Sequence, residues 1–313
     1  MKSELKIFSG NGNPRLSKAI CEYLRVPLGR WDVTSFADGE IYVQINENVR
    51  GTDVFLIQPT CTPVNHNLME LLIAVDAMKR SSAHRITAVL PYYGYARQDR
   101  KDKPRVPISA KLVADLLQAA GTSRVLTMDL HAPAIQGFFD IPVDHLFAAP
   151  VMLEWIEAQS FQNLTIVSPD AGGVERARFY AKRLGASLAI IDKRRIEKNV
   201  AQTMNVIGDV DGQTCVIIDD LVDTAGTLMG SVRALKEKGA GPVVGCFSHA
   251  VLSGPAMDRL SNVDMDRVVV TDTIALTEEK AQHPKIEVLS VSGLLGEAIA
   301  RIHSNSSVSS LFV

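Results

Sequence analysis

The chain has 313 residues, of which 46% are hydrophobic and 22% charged, and its formal net charge is −2 at pH 7. That is ordinary globular composition, sufficient for two domains of usual size, and it carries no overall electrostatic footprint for nucleic acid. The four cysteines, Cys21, Cys61, Cys215 and Cys246, show no paired spacing and read as reduced core residues. Residues 1–6 lack the apolar stretch of a signal peptide, and no apolar run approaches a membrane span, so the expectation is a cytoplasmic protein without membrane insertion.

Short apolar runs alternate with segments of helical period along the whole chain, the pattern of an α/β protein. In the first half strands are predicted at Leu5–Ser9, Trp31–Phe36, Val54–Gln58, Ile86–Leu90 and Val125–Met128. Helices are predicted at Pro14–Leu24, Asn67–Arg80 and Ser109–Ala120. In the second half strands are predicted at Leu164–Val167, Leu188–Ile191, Cys215–Ile218, Val243–Ser248 and Arg267–Val270. The matching helices are Ala149–Glu157, Val174–Leu184, Leu228–Lys238 and Gly254–Leu260. A last helical stretch covers Leu294–His303. Two α/β halves meet near Phe147–Pro150, with no convincing internal repeat.

The stretch from Cys215 to Thr227 is the most informative. Val216, Ile217 and Ile218 read as a buried parallel strand, with Asp219 and Asp220 expected where it ends. Asp223, Thr224, Ala225, Gly226 and Thr227 then supply small residues at a helix start, where free backbone N–H groups cradle an anion. Carboxylates cannot hold a phosphate but accept hydrogen bonds from sugar hydroxyls, so the two features together suit a sugar phosphate.

Ser168–Val174 is a second loop of this kind, with Gly172 and Gly173 before a helix. Asp170 there could meet a hydrated magnesium ion, and a plain structural turn is the alternative. Lys193, Arg194 and Arg195 place three cations after another strand, where they suit phosphoryl transfer or form a solvated basic turn. The polar segment 196–204 looks like a mobile loop that could close over a site. His131, beside Asp129 at a strand end, reads equally as a ligand or as a structural histidine. Phe36, Asp38 and Glu40 set an aromatic among acids. Three tyrosines (Tyr92, Tyr93, Tyr95) precede Arg97, Arg100 and Lys101, which suits a nucleobase with phosphates or an aromatic turn packed on core.

Seven of these segments, in order and at consistent spacing, resemble the class I ribose-phosphate diphosphokinase (PRPP synthetase) family. They are FADGE at Phe36–Glu40, PYYGYARQDRK at Pro91–Lys101, DLHA at Asp129–Ala132, QGFFDIPVDHL at Gln136–Leu146, SPDAGGV at Ser168–Val174, DKRR at Asp192–Arg195 and IDDLVDTAGT at Ile218–Thr227. The resemblance implies two tandem phosphoribosyltransferase-like domains, each a mainly parallel sheet flanked by helices. One would span residues 1–148, with a C-terminal helix at about 293–313 packing back on it, and the other residues 149–292.

It also implies an ATP-dependent, magnesium-requiring transfer of a diphosphoryl group to the anomeric hydroxyl of ribose 5-phosphate. The products, PRPP and AMP, would feed nucleotide, histidine and tryptophan biosynthesis. By resemblance Asp219 and Asp220 hold the ribose hydroxyls, and Asp223, Thr224, Ala225, Gly226 and Thr227 cradle the 5-phosphate. Lys193 and Arg195 are catalytic. Phe36, Asp38, Glu40, Arg97, Gln98 and His131 receive ATP, and His131 and Asp170 meet the metal. A homohexamer is implied, with ADP and inorganic phosphate as effectors near Arg50, Ser81, Ser82, Arg105, Ser309 and Ser310.

The chain departs from the family pattern at Ile196-Glu197-Lys198, where Pro and Arg are usual, at Phe247-Ser248-His249-Ala250, and across Lys101–Arg105. Glu197 sets a carboxylate near a polyphosphate. These departures bear on rate and regulation, and they leave a catalytically silent regulatory homologue as the alternative. A PRPP-consuming transferase would explain Asp219–Thr227 but not the segments of the first half. Near-neutral charge gives an RNA-binding regulator no support.

Overall fold

The structure, a computed structural model, describes residues 3–194 and 203–311. In chain order its elements are β1 (Leu5–Ser9), α1 (Pro14–Leu24), β2 (Trp31–Ser35), β3 (Ile41–Ile45), β4 (Asp53–Ile57), α2 (Val64–Arg80), β5 (Arg85–Leu90), α3 (Ser109–Ala120), β6 (Arg124–Met128) and β7 (Val143–Leu146). There follow α4 (Ala149–Ala158), β8 (Leu164–Ser168), α5 (Val174–Leu184), β9 (Ser187–Arg194), β10 (Thr203–Ile207), β11 (Thr214–Val222), α6 (Gly226–Glu237) and β12 (Val243–Ala250). The chain continues with α7 (Ala256–Asn262), β13 (Arg267–Thr271), α8 (Glu278–Ala281), β14 (Ile286–Leu289) and α9 (Ser292–His303). It divides into two compact units: Met1–Phe147 with Thr273–Ala275 and Ser290–Val313, and Ala148–Asp272 with Leu276–Leu289.

In the first unit β1, β4, β5, β6 and β7 lie side by side in that order, all parallel. The burial pattern agrees with that order. Every residue of β4 (Asp-Val-Phe-Leu-Ile) is buried, as an inner strand of a sheet covered on both faces requires. Helix α1 starts where Asn13 accepts a hydrogen bond from the Leu16 amide at 3.1 Å and Pro14 fits the first turn; it ends at Arg25 in the left-handed region, φ 57°. Strands β2 and β3 form a separate antiparallel hairpin, whose Trp31, Val43 and Ile45 pack against this unit's core. Tyr23 of α1 lies against Gly296 of α9, where an added Cβ would come within 2.5 Å of its ring.

In the second unit the order is β10-β9-β8-β11-β12-β13-β14, parallel except for β10. Strand β12 is buried at all eight positions and forms the sheet's centre with β11. Each unit has its own apolar core.

The fold class is the expected one: mainly parallel sheets flanked by helices. Four strands escape the sequence reading. Two of them, β7 and β14, have four residues each and sit at sheet edges, where the apolar signal is short. The third, β3, alternates half-buried and exposed positions but follows the FADGE turn closely. The fourth, β10, corrects the loop expectation for 196–204: Thr203 and Met204 begin a strand that pairs antiparallel with β9. Residues 196–202 lie outside the described residues.

Candidate functional site

Strand β11 outlasts its neighbour on one side. Its pairing with β8 stops at Ile217–Val167, whereas β12 accompanies it as far as Val222–Ala250. The expectation that the strand ends at Ile218 is therefore corrected. Asp219 and Asp220 lie inside it, carried past the end of β8 by the apolar Leu221 and Val222 that continue on β12. Asp220 is buried and Asp219 is half-buried. Arg176 of α5, which the sequence reading overlooked, donates from one nitrogen, Nη1, to Oδ1 of Asp219 at 2.9 Å and to Oδ1 of Asp220 at 3.0 Å. The Asp220 amide also donates to Asp219 Oδ1 at 2.9 Å.

The small-residue loop follows. Asp223 accepts a short hydrogen bond from Ser253 Oγ, and its carbonyl accepts from the Ser253 amide at 3.2 Å. Arg259 of α7 donates from Nη1 to the Thr224 carbonyl at 2.8 Å. Ala225 is buried with φ 57°, a conformation that costs a side-chain-bearing residue on the order of 1–3 kcal/mol and persists where the surroundings hold it. Helix α6 begins at Gly226 rather than Leu228, so Gly226 and Thr227 form its first turn. The amides of that turn have no intrahelical acceptor and are suited to an anion. Both Ser253 and Arg259 come from sequence beyond the motif, which is why spacing alone could not reveal them.

At the end of β8, Asp170 Oδ1 accepts from the Gly173 amide at 3.0 Å at the start of α5, and Ser168 Oγ donates to the Asp170 carbonyl at 2.7 Å. A Cβ on Gly173 would meet Ser168 Oγ at 2.9 Å, so a larger residue there would press on the hydroxyl that donates to the Asp170 carbonyl. Strand β9 runs three residues past its expected end and carries Lys193 opposite Met204 of β10; Arg195 lies outside the described residues. The basic segment thus begins in a paired strand rather than in a turn.

In the first unit Phe36, Asp38 and Glu40 sit at the exposed tip of the β2–β3 hairpin. Phe36 meets Tyr42 edge-on at 5.6 Å, and the Glu40 amide donates to Asp38 Oδ1 at 3.1 Å. Arg97 and Gln98 are exposed, and Gln98 is tied to the start of α3 through Ser109 Oγ and the Ala110 amide. Tyr92 and Tyr93 do not form a stacking surface: both are buried, and Tyr93 donates to the Ala110 carbonyl at 2.9 Å. The core reading holds for Tyr93, whose ring packs in this unit's apolar core, because a ring held there buries more apolar area than one in water. His131 is exposed after Asp129, whose φ is 39°. The Leu130 amide between them donates to His145 Nε2 at 2.8 Å, so His145 shapes the loop that presents His131.

The model of the N-terminal domain of ribose phosphate pyrophosphokinase matches residues 5–121, and that of the phosphoribosyl synthetase-associated domain matches residues 194–313. A ribose-phosphate pyrophosphokinase from Chromobacterium violaceum is 57% identical over 98% of this chain and 94% of its own length. The chain belongs to the ribose-phosphate pyrophosphokinase family. Another relative of that name, from Nitrosomonas europaea, is 56% identical over 99% of this chain and 98% of its own. The crystal structure of phosphoribosylpyrophosphate synthetase from Mycobacterium smegmatis superposes with a TM-score of 0.92 at 43% identity, covering 97% of this chain and all of that one.

Among the described residues of this pyrophosphokinase-family chain, no three His, Cys, Asp or Glu side chains cluster as a metal cage. Its acid pair has a marked electrostatic consequence. Burial, followed by the neighbouring Asp220 charge, pushes the Asp219 carboxyl up to about 7, while Arg176 draws it back. Between the ordinary carboxylate range and pH 7 the folded chain keeps a proton that the unfolded chain has released, so stability falls as pH rises through that window. Asp219→Asn removes this contribution. The stability lost between pH 5 and pH 8, read from urea midpoints, should shrink by on the order of 1–2 kcal/mol. An unchanged loss would show that Asp219 is already ionised at pH 5.

Proposed function

We propose that this chain transfers the diphosphoryl group of ATP to the anomeric hydroxyl of ribose 5-phosphate, giving PRPP and AMP. The observation that carries the reading is the close approach of two carboxylates and an anion-suited helix start on one strand end, in a chain of this family. The acids accept from the ribose hydroxyls, and the Asp223–Thr227 turn and the first turn of α6 receive the 5-phosphate. The anomeric oxygen attacks the β-phosphorus of ATP. The bond from that phosphorus to the α–β bridging oxygen breaks, AMP departs with the bridging oxygen, and the hydroxyl proton passes to solvent. Lys193 and Arg195 neutralise charge on the moving group. Phe36, Asp38, Glu40, Arg97, Gln98 and His131 receive ATP, the exposed ring of Phe36 being available for a base.

Magnesium, when bound, offsets polyphosphate charge. The Asp170 carboxylate suits its preference for oxygen, whereas the His131 nitrogen suits it better through a water. ADP and phosphate are proposed as effectors near Arg50, Ser81, Ser82, Arg105, Ser309 and Ser310. Arg301 donates to Ser310 Oγ, which ties that last segment to α9. A homohexamer and a cytoplasmic location complete the reading; among the described residues no helix is long and apolar enough to cross a membrane.

The deciding experiment incubates the purified protein with ATP, ribose 5-phosphate, magnesium and phosphate and follows both products. Equal amounts of AMP and PRPP, dependent on the sugar phosphate, are expected. A folded protein that binds ATP yet forms neither would be the silent homologue, with Ile196–Lys198 the first segment to revert.

A further inference from the structure

Consecutive residues of a β-strand direct their side chains to opposite faces of the sheet. Asp219 and Asp220 are consecutive in β11, yet one nitrogen of Arg176 bonds Oδ1 of both, at 2.9 and 3.0 Å. This geometry is open to it because β8 stops pairing at Ile217, so the segment bearing the acids has β12 as its continuing neighbour. Arg176 reaches the pair from the first turn of α5, the helix that follows the Ser168–Gly173 loop, and its side chain is 25% exposed. A guanidinium nitrogen carries two N–H bonds in one plane, enough to serve two acceptors at a fixed angle.

We infer that Arg176 is the positioning residue that draws Asp219 and Asp220 into a single acceptor pair for a vicinal cis-diol, and so sets the preference for ribose over 2-deoxyribose. The inference rests on the proposed role of this acid pair in holding the sugar. Without the shared donor, strand alternation directs the two carboxylates to opposite faces and no common guanidinium nitrogen aligns their oxygens. Two adjacent hydroxyls then lose a matched pair of acceptors, whereas a sugar with one of them loses less.

The test measures Kd for ribose 5-phosphate and for 2-deoxyribose 5-phosphate by calorimetry, and KM for ATP, in the full-length protein. Arg176→Met, Arg176→Lys and Asp220→Ala are compared with the wild type, with thermal melting as the check on folding. Arg176→Met is expected to weaken ribose 5-phosphate roughly tenfold or more and to reduce the preference over the deoxy sugar by a similar factor, with KM for ATP within about twofold. Arg176→Lys, which keeps a charged donor, should recover part of both. Equal weakening of both sugars, or a matching rise in KM for ATP, would mean that Arg176 supports the fold or contacts phosphate, and would overturn the inference. If Asp220→Ala loses the sugar while Arg176→Met keeps affinity and preference, the inference alone fails. If the wild type does not bind ribose 5-phosphate, the functional reading beneath it fails.

Discussion

Lys193→Ala should lower turnover by roughly 10³-fold or more while leaving the fold intact, because diphosphoryl transfer asks little of a protein except positioning and charge neutralisation. The moving group spreads negative charge over its oxygens, and a cation delivered there in a site closed to water is worth several kcal/mol. Lys193 is the next-to-last residue of β9, paired with Met204 on the antiparallel β10, so its backbone is held by a ladder rather than by an isolated turn. A lysine at such a position brings a compact charge on a flexible stem, suited to following a group that moves between two substrates. The substitution removes the charge and leaves the ladder, since alanine makes the same backbone hydrogen bonds. The measurement is kcat at saturating ATP and ribose 5-phosphate, with near-UV circular dichroism as the check on folding. Turnover within a few-fold of wild type would remove Lys193 from the mechanism and leave Arg195 to carry the charge.

The second large effect is on stability. Asp53, at the start of β4, is wholly buried and receives three donors. Arg85 of β5 bonds both its carboxylate oxygens, with Nε to Oδ1 at 2.7 Å, and the His303 ring nitrogen Nδ1 lies 2.8 Å from Oδ2. Arg85 also donates to the Ile302 carbonyl at 3.2 Å, so one guanidinium joins the buried acid to the last turn of α9. The acid holds the Arg85 guanidinium above its ordinary range, chiefly through their hydrogen bond. Asp53→Ala strands a partly buried cation and removes the His303 tie between α9 and the sheet. Breaking a buried pair on one side costs about 3–5 kcal/mol, or a melting temperature lower by roughly 6–20 °C at constant protein concentration. Asp53→Asn should do little better, because its amide sets a donor where Arg85 already donates. A melting temperature within a degree or two of wild type for both variants would show that α9 is held by Tyr23 and the α1 packing instead.

Much of this protein was legible from residues alone, and for definite reasons. Helices α1, α3 and α5 begin and end where expected because their signals are local: Asn13 and Pro14 at one start, and Gly185 in the left-handed region at one end. The inner strands β4 and β11 announce themselves through the apolar runs Val54–Ile57 and Cys215–Ile218, and β12 through Val243, Val244, Cys246 and Phe247, because both their faces are covered. The acids at 219 and 220 and the small-residue turn after them are likewise a local pattern, because a strand, a turn and a helix start are contiguous in the chain. Only tertiary structure decided what those acids touch. Arg176 lies 43 residues before Asp219, and no periodicity links them. Arg259 and Ser253 reach the same turn from beyond β12, and His303 reaches Asp53 across 250 residues. The same limit explains Tyr93, whose ring suits a ligand or a core equally until its hydroxyl meets the start of α3. Local chemistry determined which groups this chain could offer; long-range packing determined which of them share a proton, a charge or a substrate.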